Sequence, residues 1–240
     1  MTQGDCFKFR RWFRGRMPGI MPGPIKAVIL DLDGTLIETA GEIALALERT
    51  LAELGRPALA RASVEALIGR GVRSLVERAL EGSAGDTVDL DRAVERFEHH
   101  YAATVGTTAG LYPGVLVGLR KMREARILLA VVTNKPRAFT LRLLDRLEVA
   151  GFFAAIVAGD DGVRRKPHGD MLRAACEAMR VAPGSTVMIG DSENDVLAAR
   201  AAGCAIWCVS YGYNEGRSPD TLRCDRRVAT IDDAAALLAK

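Results

Sequence analysis

Four short segments place carboxylates, hydroxyls and an ammonium group directly after apolar runs. They are Asp31-Leu32-Asp33-Gly34-Thr35, Thr133-Asn134-Lys135, Gly159-Asp160-Asp161 with Lys166-Pro167 beyond it, and Gly190-Asp191-Ser192-Glu193-Asn194-Asp195. Aspartates gathered without compensation repel one another, and a fold tolerates them in one place chiefly when a hard cation is bound; magnesium is the expected ion. Zinc is disfavoured, because His99 and His100 are adjacent, pointing about 100° apart on a helix, and His168 stands alone. A cation, a lysine and a hydroxyl beside a carboxylate suit a phosphoryl group, whose transition state spreads negative charge over its oxygens. The chain has no Gly-Lys pair for a Walker-type loop and no Gly-x-Ser-x-Gly elbow. The nucleophile is then a carboxylate or a metal-bound water, and spacing alone does not choose between Asp31 and Asp33.

These groups converge only if the preceding runs are neighbouring strands. Ala27–Leu30, Ile127–Val132, Ala154–Ala158, Thr186–Ile189 and Ala205–Val209 are short, apolar and rich in β-branched residues, which predicts buried strands. Helical spacing occupies Val115–Arg123, Arg137–Val149, Asp170–Met179 and Glu193–Ala202, with a last helix over Ala234–Lys240. Strand and helix alternate, predicting an α/β fold with a doubly wound parallel sheet, whose ligand site lies beyond the carboxyl ends of the strands. From Gly41 to Thr108 the alternation stops and only amphipathic helical segments remain, among them Ile43–Leu54, Val72–Leu80 and Leu90–Ala103. The expected organisation is a basic N-terminal extension over 1–24, a core over 25–40 and 109–240, and an inserted α-helical cap over 41–108.

The 240 residues are 49% hydrophobic and 26% charged, an ordinary globular composition. The formal charge of +3 owes its sign to the first 26 residues, where Lys8, Arg10, Arg11, Arg14, Arg16 and Lys26 face only Asp5; the remainder is mildly acidic. Nucleic-acid binding by the whole chain thereby loses its electrostatic support. The tail interleaves aromatic and basic residues from Phe7 to Arg14, a pattern that also suits an anionic surface, but an extension or an upstream start is the plainer reading. The longest run without strongly polar residues, Val149–Gly159, falls short of the roughly 18 needed to cross a bilayer. Five irregularly spaced cysteines give no disulfide framework, with Cys204 and Cys208 read as core packing, and a cytoplasmic protein is expected.

The four segments, in order and each at a strand end, resemble the four motifs of the haloacid dehalogenase superfamily over nearly all of residues 25–240. The resemblance implies that Asp31 attacks phosphorus to form an aspartyl-phosphate, while Asp33 protonates the leaving alkoxide and later deprotonates water. Thr133, with the Asn134 amide nearby, would bind the phosphoryl oxygens together with Gly34, and Lys166 would neutralise them. Asp31, the backbone carbonyl of Asp33, and Asp191 would hold Mg²⁺, supported by Asp195 or Ser192. Dehalogenating members lack the second acid, because a halide leaves without a proton, so Asp33 favours phosphomonoester hydrolysis.

The cap and the segments Tyr112-Pro113-Gly114, Lys166-Pro167-His168 and Tyr211-Gly212-Tyr213-Asn214 resemble the phosphoglycolate phosphatases of that superfamily. In Ile68-Gly69-Arg70-Gly71-Val72-Arg73 the glycines let backbone approach a ligand, and Arg70 and Arg73 are candidates to meet a second anionic group such as a carboxylate. Departures are Glu38 where such chains usually have Asp, Gly169 where Pro is usual, and those two arginines. The implied substrate is a small phosphate ester, foremost 2-phosphoglycolate, acted on by a monomer or homodimer with no nucleic-acid or membrane partner. Another small phosphate ester, a phosphosugar mutase or a non-catalytic binding member of the same fold are the alternatives. Asp160 and Asp161 suit loop or capping roles as well as site roles, and His99 and His100 read as surface residues.

Overall fold

The computed structural model describes residues 24–82 and 88–239, so the expected N-terminal extension lies, but for Pro24, outside the described residues. In chain order the strands are β1 (Ala27–Leu30), β2 (Ile37–Glu38), β3 (Gly110–Leu111), β4 (Leu128–Val132), β5 (Ala155–Val157), β6 (Thr186–Gly190), β7 (Ala205–Val209) and β8 (Arg226–Val228). The helices are α1 (Ala40–Glu53), α2 (Arg61–Glu65), α3 (Val72–Glu81), α4 (Leu90–Thr104), α5 (Val115–Glu124), α6 (Arg137–Arg146), α7 (Asp170–Ala178), α8 (Glu193–Ala202) and α9 (Ile231–Leu238).

Six strands form one parallel sheet in the order β5-β4-β1-β6-β7-β8. The chain winds outward from β1 through β4 to β5, then crosses back to β6 and winds out the other way. β1 thus sits at the switch point where such sheets open a crevice. Its residues alternate between two cores: Val28 and Leu30 face one that includes Leu119 and Met122 of α5, while Ala27 and Ile29 face another built with α7 and α8. Burial on both faces is why these strands read as continuous apolar runs. Cys176, Cys204 and Cys208 are buried free thiols of the second core. No helix among the described residues is long and apolar enough to cross a membrane.

Between β2 and β3 the described chain forms only helices, α1 to α4. Ile43, Leu47 and Leu51 of α1 join Leu75 and Val76 of α3 and Phe97 and Tyr101 of α4, and this cluster is continuous with the first sheet core. The two crossings between sheet and helices pair as an antiparallel ribbon, Ile37 opposite Leu111 and Glu38 opposite Gly110. At its foot Glu38 accepts from Arg61 at 2.8 Å, tying the ribbon to α2.

Some elements differ from the sequence expectation. β8 was not expected because Arg226 and Arg227 are exposed on a sheet edge and only Val228 is buried. α6 stops at Arg146 rather than Val149, as Glu148 turns to a positive φ of 56°. α9 starts at Ile231 instead of Ala234, where Thr230 accepts from the Asp233 amide at 3.0 Å. α1 starts at Ala40, ahead of its apolar stripe, because a distant side chain supplies its cap: the Tyr213 hydroxyl accepts from the Thr39 and Ala40 amides at 2.8 and 3.0 Å.

Tyr213→Phe leaves the buried Thr39 amide without this acceptor and the Ala40 amide with only its longer bond to Glu38 at 3.2 Å, so a loss of about 1–3 kcal/mol is expected in urea unfolding. An unchanged unfolding midpoint would show that the hydroxyl does not hold the start of α1.

Candidate active site

The first residues beyond β1, β4 and β6 meet in the crevice. Asp31 follows β1; its Oδ1 accepts from the Leu32 amide and from Lys166 Nζ, each at 2.7 Å. The same ammonium donates to Asp195 Oδ1 at 2.7 Å, and its side chain is 1% exposed. Asp195, fully buried in the first turn of α8, accepts with Oδ2 from the Asp191 and Ser192 amides and the Ser192 hydroxyl. Ser192 is therefore the N-cap of α8 in a reciprocal capping box. Asp191 accepts from the Thr35 hydroxyl at 2.9 Å and the Tyr213 amide at 2.8 Å. Gly34, with φ of 82°, leaves it room: a Cβ there would lie 2.5 Å from Asp191 Oδ2.

Asp33 takes different partners. Its carboxylate accepts from Lys135 Nζ at 2.9 and 3.0 Å and from the Thr39 hydroxyl at 2.7 Å. Asp31 and Asp33 are two apart beyond one strand, yet each has its own lysine. Thr133 is buried beyond β4, its hydroxyl accepting from the Lys135 amide at 3.2 Å. Asn134 follows it and is buried as well. Its side chain donates to the Gly69 and Lys166 carbonyls and accepts from the Lys166 amide, so it fastens the Ile68–Arg73 loop and the Lys166 segment together.

Asp31, Asp191 and Asp195 each offer an oxygen within 4.8 Å of the others, and all three are buried. Burial, opposed by Lys166 but reinforced by Asp195 and Asp191, pushes the Asp31 carboxyl well above the usual range. Burial and then Asp195 push Asp191 up to about 7. Lys166 is pushed up by Asp195 and Asp31 despite its burial, so it stays charged. Three carboxylates against one ammonium leave negative charge that a divalent cation would offset, and the donors are all hard oxygens, so the residues fit such an ion. Asp195 has partners on both oxygens, which makes it a brace for Lys166 and the Asp191 turn as much as a ligand. Asp33 lies outside this triad by its carboxylate; only its backbone carbonyl remains as the expected donor.

A cavity of about 40 Å³ opens on this cluster, lined from the strand side by Asp31, Asp33, Thr133, Asn134 and Lys135. From the helical side Ile43, Ile68, Val72, Leu75, Phe97 and Tyr101 close over it, with Gly69 and Gly71 presenting backbone.

The loop glycines thus reach the cavity, but Arg70 and Arg73 do not line it. Arg70 makes a two-pronged pair with Glu215 at 2.7 Å, and Arg73 pairs with Asp91 at 2.5 Å. Their charge is met by partners far along the chain. Asp160 accepts from the Arg137 amide and Asp161 pairs with the Arg137 guanidinium, which fixes both in structural roles at the start of α6. His99 is exposed on α4, and His100 lies 3.0 Å from Glu53. Lys135, Thr39, Tyr101 and Glu42 join the site without any sequence signal that assigned them a role. Lys135 could have been found, since it stands in the Thr133-Asn134-Lys135 segment that follows β4.

Residues 25–203 match the haloacid dehalogenase-like hydrolase family. The chain is 42% identical over 222 residues to the phosphoglycolate phosphatase of Nitrosospira multiformis, covering 91% of this chain and 98% of that protein. It is 40% identical to that of Thiobacillus denitrificans, with the same coverage. A crystal structure of a predicted phosphoglycolate phosphatase from Haemophilus somnus superposes with a TM-score of 0.85 at 26% identity, covering 93% of this chain and 99% of that one.

The raised carboxyls set the sign of a pH effect. Between the ordinary aspartate value of 3.8 and about 7, folded Asp191 holds a proton that the unfolded chain has released, so stability falls as pH rises through this window. In EDTA, the melting temperature of the unsubstituted protein is expected to drop more steeply between pH 5 and 8 than that of Asp191→Asn. Added Mg²⁺ should raise it more at pH 8 than at pH 5. Parallel profiles for the two proteins, or no response to the cation, would contradict this account.

Proposed function

The chain belongs to the haloacid dehalogenase-like hydrolase family and is a phosphoric monoester hydrolase, and we propose that it is a Mg²⁺-dependent phosphatase of 2-phosphoglycolate. One observation carries this reading: Asp31 and Asp33 line a single small cavity, the first backed by Lys166 and the acidic triad, the second held by Lys135. Two adjacent carboxyls with separate environments divide the labour that ester hydrolysis requires.

Asp31 attacks phosphorus, forming an aspartyl-phosphate as the bond to the ester oxygen breaks. Asp33 gives its proton to the departing alkoxide, then takes one from the water that cleaves the acyl phosphate. The Thr133 hydroxyl donates to a phosphoryl oxygen, and Lys166 steadies Asp31 from behind. Asp31, Asp191 and the Asp33 carbonyl would hold Mg²⁺, which supplies charge neutralisation for the phosphoryl oxygens.

Apolar side chains of the helical segment border the space left for the leaving group. With Arg70 and Arg73 paired elsewhere, Lys135 is the cation that faces the ester's second anionic group, and the Gly69 and Gly71 backbone borders the same space. Glycolate, a two-carbon carboxylate, fits that description. The helices over 41–108 act in this reading as the cap that selects the ester by size and excludes water.

Phosphate release from 2-phosphoglycolate, sugar phosphates, nucleoside monophosphates and p-nitrophenyl phosphate tests the proposal. The expected result is a kcat/KM preference for 2-phosphoglycolate of about tenfold or more, abolished by EDTA and by Asp31→Asn. A flat profile would remove the named substrate, and retained turnover in Asp31→Asn would remove the covalent route.

A further inference from the structure

Lys135 is a flexible side chain in a nearly dry setting, 5% exposed, and its ammonium has a second neighbour besides Asp33. The Tyr101 ring lies with its centroid 4.8 Å from Lys135 Nζ. A desolvated ammonium over an aromatic face is attracted by the ring's negative quadrupole. The ring is itself held from several sides. Phe97 stacks on it at 5.6 Å, Phe139 of α6 meets it edge to face at 4.8 Å, and its hydroxyl donates to Glu42 at 3.0 Å. Glu42 is 1% exposed and accepts from the Gly106 amide with its other oxygen at 2.8 Å. A carboxylate buried on the inner face of α1, with these two donors as its side-chain partners among the described residues, has no packing advantage over an apolar residue. What it supplies is a hold on the tyrosine hydroxyl and on the Gly106 amide.

We propose that Tyr101 is a positioning residue for turnover, holding the Lys135 ammonium beside Asp33 through its ring face while Glu42 locks the ring's orientation. This rests on the phosphatase reading above and extends it to residues of the helical segment. Tyr101 also borders the cavity, but the effect proposed runs through Lys135, so most of its contribution should vanish when the lysine is gone. The ring should matter more than the hydroxyl.

The test is a double-substitution cycle on the full chain, with kcat/KM measured for 2-phosphoglycolate and p-nitrophenyl phosphate. Tyr101→Leu is expected to cost about tenfold in the otherwise unsubstituted protein and less than about twofold in a Lys135→Met background. Tyr101→Phe keeps the face and should stay within about threefold of the unsubstituted chain. Tyr101→Met, similar in reach but without a ring, replaces the leucine variant should that one not fold. Equal losses in both backgrounds, or a phenylalanine variant as impaired as leucine, would overturn the proposal while leaving the phosphatase intact. Absence of turnover by the unsubstituted chain on either ester would overturn the functional reading and this inference with it.

Discussion

An ammonium enclosed by protein needs carboxylates at hydrogen-bond distance, and Lys166 finds them on two separate elements, Asp31 beyond β1 and Asp195 in the first turn of α8. Removing one partner from such a buried pair typically costs about 3–5 kcal/mol, because the remaining charge is stranded. Asp195 spends its second oxygen on the turn that carries Asp191, so the lysine, the attacking carboxylate of the proposed reaction and the third acid are braced as one unit. The parallel sheet makes this possible by ending β1 and β6 side by side.

The opposite wall of the cavity obeys another rule. The strand ends contribute charge and hydroxyls, whereas the helical segment contributes apolar side chains and glycine backbone. Polar ties between the two halves stand at the margin instead: Asn134 to the Gly69 carbonyl, Arg70 to Glu215, and the Tyr213 hydroxyl to the start of α1. Glu215 accepts its arginine at a positive φ of 51°, a conformation that costs a non-glycine residue energy and that the ion pair helps to hold. The ties fix where the wall stands, and the apolar lining borders the space behind it.

Most of the sheet was legible because strands buried on both faces leave uninterrupted apolar runs, and the residues following them pointed to the crevice. β8 was not, since an edge strand with two exposed arginines carries no such signal. Charge partners were equally hidden. Arg70 and Arg73 look free in the sequence, but Glu215 is 145 residues from the one and Asp91 is 18 from the other. Lys135 was in plain view, yet its bond to Asp33 exists only because β4 is the neighbour of β1. Glu42 offered a fainter signal, a lone acid in line with Ala46 and Thr50 on the buried side of α1.

The ribbon formed by β2 and β3 brings the exit and return of the helical excursion to adjacent residues. Closing a loop between two points already paired depends only weakly on how much chain lies between them. The excursion can therefore lengthen, shorten or be exchanged wholesale over generations without disturbing the register of the sheet beneath it. If the excursion selects the ester, as proposed, a lineage carrying this arrangement can acquire new substrates by rewriting one contiguous stretch of its gene, while the strand ends are inherited unchanged.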